Sequence, residues 1–248
     1  MGDASVNGAG GKETTVTFII LGTCERTGKV GFAQTTSTGA IGGRRTARAL
    51  PGIGAFTIQA YGSAPVADLI ERLLKLGYGA RKIVTEICES DRFEEWRQIA
   101  VVRPDGDIAC HTGSKAVPWA GHVHGGNYAA TGNVLVGAKV VEAMAKAFEG
   151  AAAEELEERL MRGIEAGRDA GGQPDGQTSA VIHVFHTKTY PIVDLRVDMH
   201  PEPVGELRKI LDWYRPLIPY YIQRTTDPSS VPRYKQWLRE QGLPLNPF

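Results

Sequence analysis

Three times along this chain, two strand-like runs rich in β-branched and aliphatic residues are joined by a connection too short to hold a helix. Thr15 to Thr23 (TVTFIILGT) and Lys29 to Thr35 (KVGFAQT) flank a turn at Arg26-Thr-Gly28. Gln98 to Arg103 and Ile108 to Thr112 flank Pro104-Asp-Gly106, and Ser179 to His186 with Pro191 to Val197 form a third pair. Chains that reverse this quickly pair antiparallel, because a parallel neighbour needs a crossover of about a dozen residues or more. Ala55 to Ala60 (AFTIQA) reads as a further strand, and the Gly/Arg-rich segment from Gly39 to Gly54 before it as a connection.

Helical periodicity fills the intervals. Pro65 opens a helix with apolar residues at Val66, Leu69, Ile70, Leu73, Leu74 and Leu76, and Gly77 stops it. A shorter helix is expected near Arg81 to Glu89, and Ala138 to Glu149, Ala152 to Ala166 and Pro203 to Tyr214 follow by period and composition. Hairpins grouped with helices in this order predict an α+β fold. Two antiparallel sheets inside and helices outside, a four-layer αββα sandwich, would bury the largely apolar Phe18 to Leu21, Ala100 to Val102 and Ala180 to Ile182.

The domain expected over residues 14–214 is preceded by a Gly-rich, polar flexible leader, 1–13. It is followed by a tail, 215–248, that mixes Pro with Tyr220, Tyr221, Tyr234, Trp237 and Phe248. Such aromatic content predicts packing on the body or across the interface of a homo-oligomer. Lys+Arg and Asp+Glu balance at 28 each, and no basic block stands out, which argues against nucleic acid as a partner. No apolar run reaches the roughly 18 residues of a membrane span, and the N-terminus has neither part of a signal peptide. The expectation is a cytoplasmic protein with no membrane partner. Cys24, Cys88 and Cys110 lack Cys-x-x-Cys spacing, so neither a disulfide framework nor a zinc knuckle is expected. No phosphate loop or Gly-x-Gly-x-x-Gly is present, and no cofactor is called for.

Ala109 to Gly137 (ACHTGSKAVPWAGHVHGGNYAATGNVLVG) concentrates three histidines, one Trp and two Asn among glycines, and beyond Thr112 reads as a loop lining a site. His122-x-His124 with Asp198-x-His200 could be drawn as a metal site, but nothing fixes a third ligand on one face, and the reading assigns no metal. Asp194, Arg196 and Asp198 alternate along a strand and face one way, as a paired network or onto a cleft. Arg44-Arg45-x-x-Arg48 is either a carboxylate fork or solvated charge. Cys110 and His111 are adjacent, so on a strand they face opposite ways, which argues against a Cys-His dyad.

Several segments together resemble one family. Thr17-Phe-x-Ile, Thr27-Gly-x-x-Gly31, His111-Thr-Gly113, Pro118-Trp-Ala-Gly-His122, Gly132-Asn133 before Val-Leu, Val140-Val-x-Ala-Met-Ala and Asp194-Leu-Arg-Val-Asp-x-His-Pro-x-Pro203 are similar in type and order to the DUF1028 family, assigned to the Ntn (N-terminal nucleophile) hydrolase superfamily. The chain departs from that pattern at Gln34-Thr-Thr36, Ser63-Ala-Pro65 and Gln173-Pro-Asp-Gly176.

The resemblance implies an Ntn-hydrolase-like αββα sandwich and a cofactor-free amidohydrolase acting on a small-molecule C–N bond other than a peptide bond. It also implies Thr17, at the start of the first strand and at a sheet edge, as nucleophile, with its own α-amine as base once Val16-Thr17 is cut. An α-amine titrates near 7.7–8.0, close to working pH. Asn133 is the candidate oxyanion donor, or else a helix cap or turn residue. His111, Trp119, His122, Arg196 and Asp198 are candidate substrate-binding residues, His111 being equally readable as structural. The rival expectation is a non-catalytic binding protein on the same fold, with Thr17 simply a β-former in a buried strand.

Overall fold

A computed structural model describes residues 16–116 and 119–245; the expected leader and Phe248 lie outside the described residues. Among the described residues, ten strands and seven α-helices follow one another as β1 (Thr17–Cys24), β2 (Lys29–Thr36), β3 (Ala47–Leu50), β4 (Gly54–Ala60), α1 (Ala64–Lys75), α2 (Ala80–Ser90), β5 (Arg97–Val102), β6 (Ile108–Thr112), β7 (Ala120–His124), β8 (Tyr128–Asn133), α3 (Lys139–Gly150), α4 (Leu156–Asp169), β9 (Ser179–Phe185), β10 (Pro191–Val197), α5 (Pro203–Tyr214), α6 (Ile218–Thr226) and α7 (Tyr234–Glu240). They build two antiparallel sheets, one ordered β10-β9-β2-β1-β8-β7 and one ordered β3-β4-β5-β6. This is a mixed α+β architecture. No helix among the described residues is long and apolar enough to cross a membrane.

The period of two in each strand sorts its residues between apolar clusters. Phe18 and Ile20 of β1 pack with Val140, Met144, Phe148, Leu160, Ile164 and Leu207 from α3, α4 and α5. Ile19 and Leu21 turn the other way and meet Ala55, Ala100 and Val102 of the smaller sheet. That sheet's Phe56, Ile58, Ile99 and Val101 face Ile70, Leu74, Ile83 and Ile87 of α1 and α2. Burial on both faces explains why β1 is buried over its whole length. Helix α1 starts where Ser63 accepts from the Val66 amide with Pro65 in the first turn, and stops before Gly77, whose φ of 84° ends it.

Two expected loops contain strands. β3 lies in the Gly/Arg-rich segment and pairs with β4, and β7 and β8 lie in the His/Gly segment, β8 beside β1 in the middle of the large sheet. β8 reads YAATGN, and its small residues fit a tightly covered strand although they carry little β-propensity. Helix α4 begins at Leu156 instead of Ala152, because residues 151–154 form a turn and Glu155 is the N-cap.

Beyond α5, Leu217, Ile218 and Tyr220 are buried, and Tyr220 packs against Trp237 of α7. Buried Glu158 on α4 accepts from Arg162, Arg208 and Arg215 at 2.7, 2.7 and 2.6 Å, fastening α5 and the start of the C-terminal segment to α4. Burial opposes its ionisation, yet these guanidinium groups hold the Glu158 carboxyl below the usual carboxylate range.

Candidate functional site

A cleft of about 370 Å³ opens between the sheets at one end of their strands, lined by Thr17, Gln34, Ile41, Arg44, Thr46, Gln59, Tyr61 and Arg97 among others. Thr17 is laterally interior to the large sheet, between β2 and β8, and it reaches the cleft because it is the first residue of its strand. This corrects the expectation of a sheet edge. Directly opposite in the two ladders stand Thr36 and Asn133. The Thr17 hydroxyl donates to Thr36 Oγ1 at 3.1 Å, and Thr36 Oγ1 donates to the Val16 carbonyl at 2.5 Å. The amide of Ser37 donates to that same carbonyl at 3.1 Å.

Behind Thr17 runs a row of buried amides. Gln34 Nε2 donates to Gln59 Oε1 at 3.5 Å, Gln59 Nε2 to Gln98 Oε1 at 2.8 Å, and Asn133 Nδ2 to Gln98 Oε1 at 3.3 Å. Gln98 Nε2 in turn reaches Thr112 Oγ1 and the carbonyls of Gly121 and Gly132 at 3.1, 3.1 and 2.9 Å. Asn133 is fully buried, and its Oδ1 has no partner among the described residues. A buried acceptor left unpaired costs about 1–3 kcal/mol. The next residue, Val134, sits at φ 52°, a left-handed conformation that a β-branched side chain strains to adopt. Asn133 does not cap α3, whose N-cap is Ala138.

The mouth of the cleft is cationic. Arg97 donates to Asp91 Oδ2 at 2.9 Å and to the Tyr61 carbonyl; burial opposes ionisation of Asp91, but Arg97 holds its carboxyl low. Arg44 donates to the Gly39 carbonyl at 3.2 Å and has no carboxylate partner among the described residues. Its neighbours in sequence point elsewhere. Arg48 is paired with Asp68 at 2.8 Å and with Glu71 at 2.5 Å, and Arg45 lines a second depression with His183, Asp194 and Arg196.

The other sequence candidates lie away from the Thr17 cleft. Arg196 on β10 pairs at 3.2 Å with Asp198, just past the strand's end, and each is about half exposed. His122 is on β7, the opposite edge of the six-stranded sheet. Five strand spacings, about 24 Å, separate those edges, so His122 and His124 do not share a metal with Asp198 and His200. Trp119 packs against the apolar cluster beneath α3 to α5. His111 faces away from the gap between the sheets and meets Glu94 Oε2 at 3.0 Å.

His122 alone touches the amide row indirectly, its Nδ1 standing 2.9 Å from the Thr112 hydroxyl that Gln98 also contacts. Burial, followed by the charges of His124 and His111, depresses the His122 pKa. Cys110 points into the gap between the sheets, away from His111, and burial pushes its thiol up to about 12, so it offers no thiolate.

Sequence reasoning marked Gln34 only as part of the departure at Gln34-Thr-Thr36 and did not single out Gln59, Gln98, Tyr61 or Arg97. The signal for the glutamines is an amide at an inward position near the end of an otherwise apolar strand: FAQ, TIQ and RQIAVV. Such placement needs a buried hydrogen-bond partner. Among the described residues, the potential metal ligands brought together are Cys88, Glu94 and His111, on the outer side of the small sheet.

Residues 17–207 match the family described as "Family of unknown function (DUF1028)". No curated protein matches the chain. Among solved structures, the crystal structure of a DUF1028 protein from Silicibacter pomeroyi is similar, with a TM-score of 0.72 and 28% identity over 90% of this chain and 94% of that one.

Proposed function

The chain belongs to the DUF1028 family, and from the cleft at Thr17 we propose that it is an Ntn-type amidohydrolase. On this reading the fold is the αββα sandwich of that superfamily. The substrate is a small amide that carries a carboxylate, cleaved at a C–N bond other than a peptide bond. The observation that carries the proposal is a threonine hydroxyl at the head of a central strand, opening on a cleft whose wall holds Arg44 without a carboxylate partner.

The chemistry needs the Val16-Thr17 bond cut. Thr36 donates to the Val16 carbonyl and makes its carbon more electrophilic. Attack there by Thr17 Oγ1 breaks the C–N bond and forms an ester, and water then hydrolyses that ester, releasing residues 1–16 and leaving a free α-amine. In the mature enzyme the amine accepts the Thr17 hydroxyl proton as the oxygen attacks the substrate carbonyl, and it returns a proton to the leaving nitrogen. Water then cleaves the acyl-enzyme. Asn133 offers its unpaired Oδ1 to the nascent ammonium and its second Nδ2 proton to the oxyanion. Arg44 holds the substrate carboxylate.

The test is a panel of small amides, ureides and N-acyl amino acids assayed with the wild type and with Thr17→Ala. Turnover that vanishes in Thr17→Ala supports the reading. Equal turnover by both proteins removes it, and binding of panel members without turnover favours a non-catalytic protein on the same fold.

A further inference from the structure

The segment His111-Thr-Gly113 stands out in the sequence, yet the Thr17 cleft makes no use of His111. β6 sends Ile108 and Cys110 into the gap between the sheets, while Ala109 faces the cluster beneath α1 and α2. His111 shares that outer face by strand alternation. There its imidazole meets the end of α2 and the 3₁₀ turn Glu94–Trp96.

Gly113 lets the turn lie so close. A Cβ at this position would fall 2.4 Å from the Glu95 carbonyl carbon and 2.5 Å from the Glu94 carbonyl oxygen. Backbone bonds from Lys115 to Glu95 at 2.8 Å and from Gly113 to Arg97 at 2.9 Å fasten the turn to the end of β6. The outcome is a convergence of three elements. Cys88 Sγ from α2, a carboxylate oxygen of Glu94 from the turn and a ring nitrogen of His111 from β6 all lie within 4.8 Å of one another. Each residue is partly exposed, so an ion can enter and water can complete its coordination.

We infer that Cys88, Glu94 and His111 form a binding site for one zinc-class divalent cation. Thiolate, imidazole and carboxylate together are the donor set of a borderline-soft ion, whereas magnesium and calcium select oxygen alone. Tetrahedral zinc with bonds of about 2.0–2.3 Å sets its ligand atoms roughly 3.3–3.6 Å apart. The carboxylate and imidazole, now at 3.0 Å, open slightly, and the thiol already stands within 4.8 Å of both. The ion would tie the end of α2 to β6 from the face opposite the Thr17 cleft. The inference stands independently of the amidohydrolase reading, and the readouts below do not involve turnover.

Tag-free full-length protein, stripped with chelator, is titrated with Zn²⁺ by calorimetry and with Co²⁺ by absorbance. One ion binds per chain, and Co²⁺ shows a thiolate-to-cobalt charge-transfer band. Cys88→Ser and His111→Gln each weaken Zn²⁺ binding at least tenfold, and Cys88→Ser abolishes the band, while Cys24→Ser and Cys110→Ser leave both unchanged. Circular dichroism of the Cys88→Ser apo-protein establishes that it is folded, so this variant decides the matter even if His111→Gln fails to fold. Absence of one-to-one binding by the wild type, or binding and a band that persist in Cys88→Ser, overturns the inference.

Discussion

Thr17 and Thr36 face each other across the β1–β2 ladder with their hydroxyl oxygens 3.1 Å apart, Thr17 donating and Thr36 accepting. The Thr36 proton is thereby directed to the Val16 carbonyl, the group that must be attacked if Thr17 is to become the first residue. Thr36→Val keeps the β-branched shape and removes the donor. The expected result is release of residues 1–16 slowed at least tenfold, with Thr36→Ser close to wild type, followed by mass spectrometry of freshly made chain over time. Equal release rates in Thr36→Val and wild type would remove Thr36 from the step.

On the proposed amidohydrolase reading, Arg44, the cleft guanidinium without a carboxylate partner among the described residues, holds the anionic end of the substrate. Arg44→Ala is expected to raise KM for a carboxylated amide by about ten- to a hundredfold while kcat changes little. A neutral amide of the same size is expected to respond much less. Steady-state kinetics on the matched pair measures the difference, and equal losses on both substrates would rule out carboxylate recognition.

The hairpins could be read from the sequence because their signals are local: a Pro-Asp-Gly turn, a Thr-Gly turn and runs of β-branched residues. β7 and β8 could not, since Gly121, Gly125, Gly126 and Gly132 read as loop, and only pairing with β1 makes YAATGN a strand. The site divided in the same way. Thr17 and Asn133 stand out through family resemblance, and the fold sets them opposite each other. His122 and Arg196 attract notice by residue type, but lateral strand order, which no local pattern encodes, puts them on opposite edges of the sheet. Gln98 is invisible for the complementary reason, because one amide in an apolar strand acquires meaning only when the two sheets meet around it.

Gln98 is fully buried and joins both sheets: its Oε1 accepts from Gln59 and Asn133, and the two protons of its Nε2 are shared among the Thr112 hydroxyl and the carbonyls of Gly121 and Gly132. Gln98→Leu preserves bulk but removes the acceptor of the buried Gln59 and Asn133 amide groups. The expected destabilisation is about 2–4 kcal/mol, from the penalty for unpaired buried groups. Urea unfolding measures it, and a variant within about 0.5 kcal/mol of wild type, the scale of ordinary surface changes, would contradict a structural role for this row.

His122 and His183 both have depressed pKa values. Burial is the first cause in each; His124 and His111 add to it at His122, and Asp194 opposes it at His183. Between their folded pKa values and the unfolded value of about 6.5, the unfolded chain binds more protons, so stability rises with pH there and is lost as pH falls below about 6.5. The carboxylates held low, Glu158 and Asp91 among them, contribute in a separate window below about 4.5. Urea midpoints are therefore expected to fall from pH 7.5 to pH 5.5, less steeply in His122→Gln. Identical slopes in the two proteins would exclude His122 from the effect.

The N-terminal nucleophile is tested most directly by intact-mass measurement of purified protein whose turnover has been verified. The account predicts a chain that begins at Thr17, with residues 1–16 absent, and an uncut, inactive chain for Thr17→Ala. An active protein that retains the Val16-Thr17 bond in every molecule would contradict it.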